Sequence, residues 1–330
     1  MIIKMKRITS MLLVIFLLLG TLAGCSSSEK LQKDRVKIGI MLSDVGLGDQ
    51  SFSDAAFAGL GKARDELDIL FDYRELQTVG SYEKGFTELV EAENDVVIGL
   101  GFMVLEDLEK VAKKYPEQQF ILIDSVSELD NITSITFKEE QGSFLAGAVA
   151  GMASKSNIVG FIGGADVPLI RKFKAGFEQG VKAVNPKAEV KAAFANDFGN
   201  AELGGKIASG MIEEGADVLY AAAGFTGVGV LKEAQAKKKL AIGVDSDQYY
   251  YAEKAIVTSM LKNVDVALYE IVKEFKEDKK LSAKQIELGI NENGVGLAPI
   301  RVIKLTQDQE KNLKDLEAKI SSNEVSIQLD

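Results

Sequence analysis

Phe120-Ile-Leu-Ile-Asp124 is four apolar residues that stop on a carboxylate, and the fold is read outward from that pattern. So short a run, with no polar alternation, suits a strand buried on both faces. Upstream lie a helix-spaced segment, Val104–Lys114, and a second unbroken run, Asp95–Gly101. Further back come a strand at Phe71–Gln77 between helices at Ser53–Glu66 and Tyr82–Ala92, and the first strand at Val36–Leu42. Downstream, Ile132–Phe137 is another strand. Apolar runs of this length, alternating with amphipathic segments, predict a parallel sheet with helices on both faces.

The series then starts again. Gln141–Ala153 reads as a helix of small residues, and Gly142, Gly147 and Gly151 suggest close helix packing. Strands at Ile158–Gly163, Val190–Phe194, Val218–Ala223 and Leu240–Val244 alternate with helices at Ile170–Val184, Ala201–Glu214 and Val228–Lys237. A shorter third portion follows: strands at Ile256–Leu261 and Ile286–Ile290, a helix at Val264–Glu277, and a charged helix at Gln307–Ile320. Two α/β sets and a remainder predict two doubly wound α/β domains joined by a hinge that the chain crosses more than once. The expected division is 36–137 plus 252–330 for the first lobe and 138–251 for the second. Open α/β sheets take ligands beyond the carboxyl ends of their strands, so two facing lobes would enclose a cleft.

The N-terminus sets the compartment. Lys4, Lys6 and Arg7 precede an uncharged run, Leu12–Leu19, and then Leu22-Ala-Gly-Cys25. The run is too short for a stable span and reads as a signal peptide over residues 1–24. Leu-Ala-Gly-Cys resembles a bacterial lipobox, which implies cleavage before Cys25 and a lipid on its sulfur, with residues 25–35 as a tether. The expected location is the extracytoplasmic face of the cell membrane.

Composition excludes several functions. The 330 residues carry a net charge of −10. Residues 1–24 hold three basic and no acidic side chains, so the remainder stands at −13, a poor match for nucleic acid. There is no histidine, which removes Ser-His-Asp and Cys-His catalysis and imidazole metal sites. Cys25 is the single cysteine, so no intrachain disulfide forms. The P-loop pattern Gly-x-x-x-x-Gly-Lys-Ser/Thr is absent. No enzyme, cofactor or metal is expected.

Polar residues and glycine gather at strand ends: Asp44, Asp124, Gly224, Asp245 and Lys262. A single strand-end carboxylate reads first as the cap of the next helix; five polar or glycine positions at one edge read as a site. Phe52, in the loop Asp44–Ser53, is either a staple for the next helix or a wall for a flat ligand. Two other patterns mislead. Gly224-x-x-Gly227-x-Gly229 with Asp245 imitates a dinucleotide fingerprint, and Tyr250-x-x-x-Lys254 imitates a dehydrogenase pair. The glycines fall in a late βα unit, and the Tyr/Lys pair lies too close behind them.

The chain resembles the basic-membrane-protein family of bacterial lipoproteins, of the purine-nucleoside-receptor type, which are substrate-binding proteins of ABC transporters. The resemblance rests on Asp44-x-Gly46, Asp49-x-Ser51-Phe52, Ile123-Asp124, Gln141 to Gly147, Ile242 to Gln248, Thr258 to Lys262 and Gly294 to Leu297, in that order. It implies a type I periplasmic-binding-protein fold, a monomer, and a purine nucleoside held between two aromatic rings and passed to permease and ATPase partners. By resemblance the walls are Phe52 and Phe198, with Phe194 as the alternative to the second. The ribose contacts are Asp245 and Lys262, with Gly224 allowing close approach, and Asp44 and Asp124 lie near the base. The family's usual Asn after Ser-Phe is Ser53 here, and its Lys before Ser-Phe is Gln50, which leaves base preference open. A sugar or signalling molecule in the same fold, or a surface role without transport, are the alternatives.

Overall fold

The computed structural model describes residues 35–329; the expected signal peptide, Cys25 and most of the expected tether lie outside the described residues. Ten α-helices and twelve strands are found among them, arranged as two six-stranded sheets.

The first sheet holds β1 (Lys37–Met41), β2 (Leu70–Arg74), β3 (Val96–Leu100), β4 (Gln119–Ile123), β5 (Ile132–Phe137) and β11 (Gln285–Leu288), in the order β11-β5-β4-β3-β1-β2. Its pairings are all parallel. The helices of this lobe are α1 (Phe52–Leu67), α2 (Leu76–Val79), α3 (Tyr82–Glu91), α4 (Leu105–Lys114) and α9 (Val264–Asp278). β3 is buried at every residue and β4 at four of five, as unbroken apolar runs require when helices cover both faces.

The second sheet holds β6 (Ile158–Gly163), β7 (Glu189–Phe194), β8 (Val218–Ala222), β9 (Leu240–Asp245), β10 (Ile256–Lys262) and β12 (Val295–Leu297), in the order β12-β10-β9-β8-β6-β7. This repeats the first sheet element for element: β1 to β5 answer to β6 to β10, and β11 to β12. Its helices are α5 (Glu139–Ala153), α6 (Pro168–Val184), α7 (Ala201–Glu213), α8 (Gly224–Ala236) and α10 (Gln307–Ser321). The small-residue helix α5 does pack closely: a Cβ on Gly147 would lie 2.1 Å from the Phe177 carbonyl of α6. Two backbones meet there, which no larger residue permits.

The domain division drawn from the sequence needs correction. Residues 252–330 do not all return to the first lobe. β10 pairs with β9, and β12 pairs antiparallel with β10, so both extend the second sheet. α10 also joins the second lobe, where Leu313 and Leu316 pack near Phe144 and Leu145 of α5. Only α9 and β11 complete the first lobe. An apolar run reveals that it is buried but not which sheet buries it, so strand order was not readable from periodicity.

The chain therefore changes lobe three times: between β5 and α5, between β10 and α9, and between β11 and β12. Glu139 is the first helical residue past the first crossing, and Lys262 is the last strand residue before the second.

Candidate functional site

The carboxyl ends of both sheets face one cleft of about 640 Å³, counting its open mouth, which falls within the usual range for a small-molecule site. Seven of the eight side chains or glycines singled out by sequence line it: Asp44, Phe52, Asp124, Phe198, Gly224, Asp245 and Lys262. Ser53 does not. It is fully buried, its hydroxyl hydrogen-bonds to that of Ser43 at 2.7 Å, and its N–H donates to Asp49 Oδ2 at 2.7 Å. Its neighbour Ser43 is the residue that reaches the cavity.

The two aromatic walls come from different lobes. Phe52 opens α1. The loop before it is folded by Asp49, whose carboxylate accepts from the N–H groups of Ser51, Ser53 and Asp54 and so fills the start of the helix. That fixes the backbone carrying the ring. Phe198 sits between β7 and α7, against two glycines. A Cβ on Gly164 would fall 2.2 Å from the Phe198 ring. Gly224 has φ +53°, a left-handed conformation, and a Cβ there would meet the Phe198 carbonyl at 3.3 Å. Phe194, the alternative wall, is turned into the second lobe's core, with its ring centroid 6.3 Å from that of Phe161.

The polar groups come from strand ends. Asp124 follows β4 and Asp245 ends β9; both are left-handed, at φ +68° and +64°. Aspartate tolerates this conformation better than most residues, and here it turns both carboxyls toward the cleft. Lys262, 2% exposed, ends β10 and meets Asp124 Oδ2 at 2.6 Å and Glu139 Oε1 at 3.0 Å. Its Nζ also lies 5.1 Å from the ring centroids of Phe52 and Phe137. Burial alone would lower the ammonium's pKa, but Asp124, Glu139 and Asp245 outweigh it and hold the pKa above the ordinary lysine value.

The carboxyls answer to the same burial. Desolvation raises the pKa of Asp124 and Glu139 against the pull of Lys262. Desolvation also pushes Asp245 up to about 6, opposed by Lys262 and by a hydrogen bond from Ser51. Asp44 is raised by burial too, with Asp197 of the other lobe adding to it. Asp124 Oδ1 is buried with no hydrogen-bond partner within the protein, so the cleft offers an acceptor to a bound donor. One lysine against several carboxylates makes the cleft a poor place for a phosphate and a good one for neutral hydroxyl and amine donors.

Glu139 was missed by the sequence reading, which started the helix at Gln141. Its visible signal was an acid two residues past a buried strand, at the head of a helix that is small and apolar beyond Gln141. Leu169, Ile170 and Phe173 of α6, which also line the cleft, gave no sign beyond ordinary helical periodicity.

Two topologically matched α/β lobes, three crossings and a ligand-sized cleft between strand ends define a two-lobed solute-binding protein of the type I periplasmic fold. Residues 36–329 match the family of PnrA-like ABC transporter substrate-binding proteins, and the chain belongs to that family. It is a binding protein and not an enzyme. It is 33% identical to a CD4+ T-cell-stimulating antigen of Listeria innocua, over 96% of this chain and 94% of the relative. It is 31% identical to an uncharacterized lipoprotein of Pyrococcus abyssi, over 94% of this chain and 89% of the relative. Its fold superposes, with a TM-score of 0.81 and 27% identity, on the crystal structure of an ABC transporter solute-binding protein from Aeropyrum pernix, covering 90% of this chain and 94% of that one. No helix among the described residues is long and apolar enough to cross a membrane.

Proposed function

We propose that the solute is a nucleoside, with a purine as its base, and that the protein presents it to an ABC permease while anchored by lipid on Cys25. The observation that carries the ligand reading is that Phe52 and Phe198 line one cavity from opposite lobes, while Asp245 and Lys262 line the same cavity. Two aromatic faces suit a flat heterocycle, because stacking needs area and polarizability more than a particular edge. Asp245 accepts from vicinal hydroxyls, and Lys262 donates to the same oxygens. The acidic surroundings favour the nucleoside over its phosphate ester. The motif at Leu22–Cys25 supports the anchor, as does the name of the Pyrococcus relative.

Thermal denaturation with adenosine, guanosine, inosine, free ribose and adenosine monophosphate tests the ligand. A nucleoside at 100 times its dissociation constant adds about 2.7 kcal/mol to stability. If ribose raises the melting temperature and none of the three nucleosides does, the assignment is wrong. The intact mass of the protein from membranes tests the anchor: a chain that begins at Cys25 and carries acyl mass is expected, and an unmodified Cys25 overturns it.

A further inference from the structure

The lobes touch outside the ligand cavity as well as inside it. Gln248, 2% exposed, sits in the segment after β9 and is held in the second lobe by its own groups. Its Oε1 accepts from the Val244 N–H at 2.9 Å, and its backbone N–H donates to Ser259 Oγ at 3.1 Å. Those two bonds fix the direction of the amide nitrogen. That nitrogen crosses to the first lobe and donates to the Gln50 carbonyl at 2.9 Å. Gln50 is itself left-handed, at φ +56°, in the loop that leads from Asp44 to the start of α1 at Phe52. Space for the arrangement comes from Gly243, where a Cβ would lie 2.5 Å from Ser259 Oγ and 2.9 Å from Gln248 Oε1. Gln248 does not line the ligand cavity.

We propose that Gln248 is a latch: a positioning residue that touches no ligand and stabilises the closed pair of lobes by its bond to the Gln50 carbonyl. It lies three residues past Asp245, which makes a second contact across the mouth by accepting from the Ser51 hydroxyl. The two contacts divide the work. The Asp245 carboxylate is shared with ligand, so its hold on Ser51 varies with occupancy. The Gln248 amide has no ligand to serve, and its bond forms whenever the lobes meet. One short segment thereby couples filling of the cleft to closure, and the second bond sets how long closure lasts. The latch rests on the two-lobed binding reading and not on the identity of the solute.

Small-angle scattering on the ligand-free protein tests it independently of any nucleoside. Gln248→Met keeps the length of the side chain and removes both hydrogen bonds of its amide, so the variant is expected to have a larger radius of gyration than the wild type. Equal radii overturn the latch, whatever the solute proves to be. With a nucleoside bound, stopped-flow kinetics are expected to give dissociation about threefold to tenfold faster and unchanged association, the size of one ordinary hydrogen bond felt only in the closed state. A change confined to association, or no change, overturns it. Should Gln248→Met fail to fold, Gln248→Glu at pH 8 replaces it. That variant keeps an acceptor for Val244 and sets an ionised oxygen against the Gln50 carbonyl; dissociation no faster than wild type counts against the latch. If no nucleoside binds the wild type, the ligand assignment fails while the scattering result still decides the latch.

Discussion

Asp124 and Asp245 occupy the same place in two matched lobes. Each stands at the carboxyl end of the third strand of its sheet, β4 or β9, and each is left-handed. Their partners differ. Asp124 is joined by Lys262 at 2.6 Å, with Glu139 close behind on the same ammonium. Asp245 has the Ser51 hydroxyl as its hydrogen-bond donor and feels Lys262 only through space. The first carboxylate is thus tied into a buried ionic cluster at the hinge. The second is left as a charged acceptor at the cleft, raised to about 6 because burial costs it more than its neighbours return. One topological position is tied into an ion cluster in one lobe, with only Asp124 Oδ1 left open to the cleft, and on the proposed function serves the ligand in the other, and substitutions should separate the two.

The largest effect is expected from Lys262→Met. It strands Asp124 and Glu139 in the interior with no cation between them. Removing one partner of a buried ion pair typically costs about 3–5 kcal/mol. Urea denaturation should register a loss of that order, and nucleoside binding should vanish with it. A loss under about 1 kcal/mol would mean that the two acids are already protonated in the native state and that the cluster is not ionic.

Asp245→Asn should reverse that balance, sparing the fold and damaging the site. Charge-assisted hydrogen bonds contribute about 1.5–3 kcal/mol, so affinity for a nucleoside should fall more than tenfold by calorimetry. The unfolding free energy should stay level or rise slightly, since a poorly solvated charge has been removed. Unchanged affinity removes Asp245 from the site and the comparison with it.

Acidity probes the same carboxyl with a smaller effect. Asp245 titrates near 6 in the folded protein and near the ordinary aspartate value when unfolded. Between those values the native state holds more protons than the unfolded chain. The contribution of this group to stability is therefore largest at low pH and declines as pH rises through about 4 to 6. Binding runs the other way. Hydroxyl donors need the ionised form, so affinity should weaken as pH falls below about 6, by at most tenfold per unit. The groups facing Asp245 are Lys262 and Ser51, which favour its charge, and Asp49, Glu139 and Asp124, whose carboxylates oppose it. Calorimetry at pH 5.0 and 7.5 decides: the wild type should bind more weakly at the lower value and Asp245→Asn should be flat. A flat wild-type profile contradicts the free-acceptor role.

Legibility in the sequence followed the same division. The strand-end residues were readable because β4 and β9 are unbroken apolar runs, and whatever ends such a run emerges at the rim of the sheet. Phe198 could be preferred over Phe194 only by resemblance; what separates them is the space made by Gly164, 34 residues upstream, which no local pattern records. Glu139 escaped because its partner, Lys262, lies 123 residues away and meets it only where the chain crosses between lobes. The assignment of β10 and β12 failed for a related reason. Burial leaves its mark on a strand's own residues, whereas the choice of neighbouring strand is made by the rest of the chain. The Gln248 contact was invisible because half of it is a backbone carbonyl.

The smallest effect is expected where resemblance misplaced a residue. Ser53 occupies a position that the resemblance placed against the ligand, yet its hydroxyl is spent on Ser43 and its N–H on Asp49. Ser53→Ala removes one neutral hydrogen bond, so stability should fall by about 0.5–1.5 kcal/mol. The Ser43 hydroxyl loses its partner but borders the cleft, where solvent or ligand can supply another, so the native state carries no stranded polar group. Nucleoside affinity should change less than about twofold, far below the tenfold or more expected of Asp245→Asn. A tenfold loss for Ser53→Ala would mean that the serine pair turns toward the base when ligand enters. The first lobe would then contact the ligand through polar side chains, as Asp245 is proposed to do from the second, and its role could no longer be confined to a wall and a hinge.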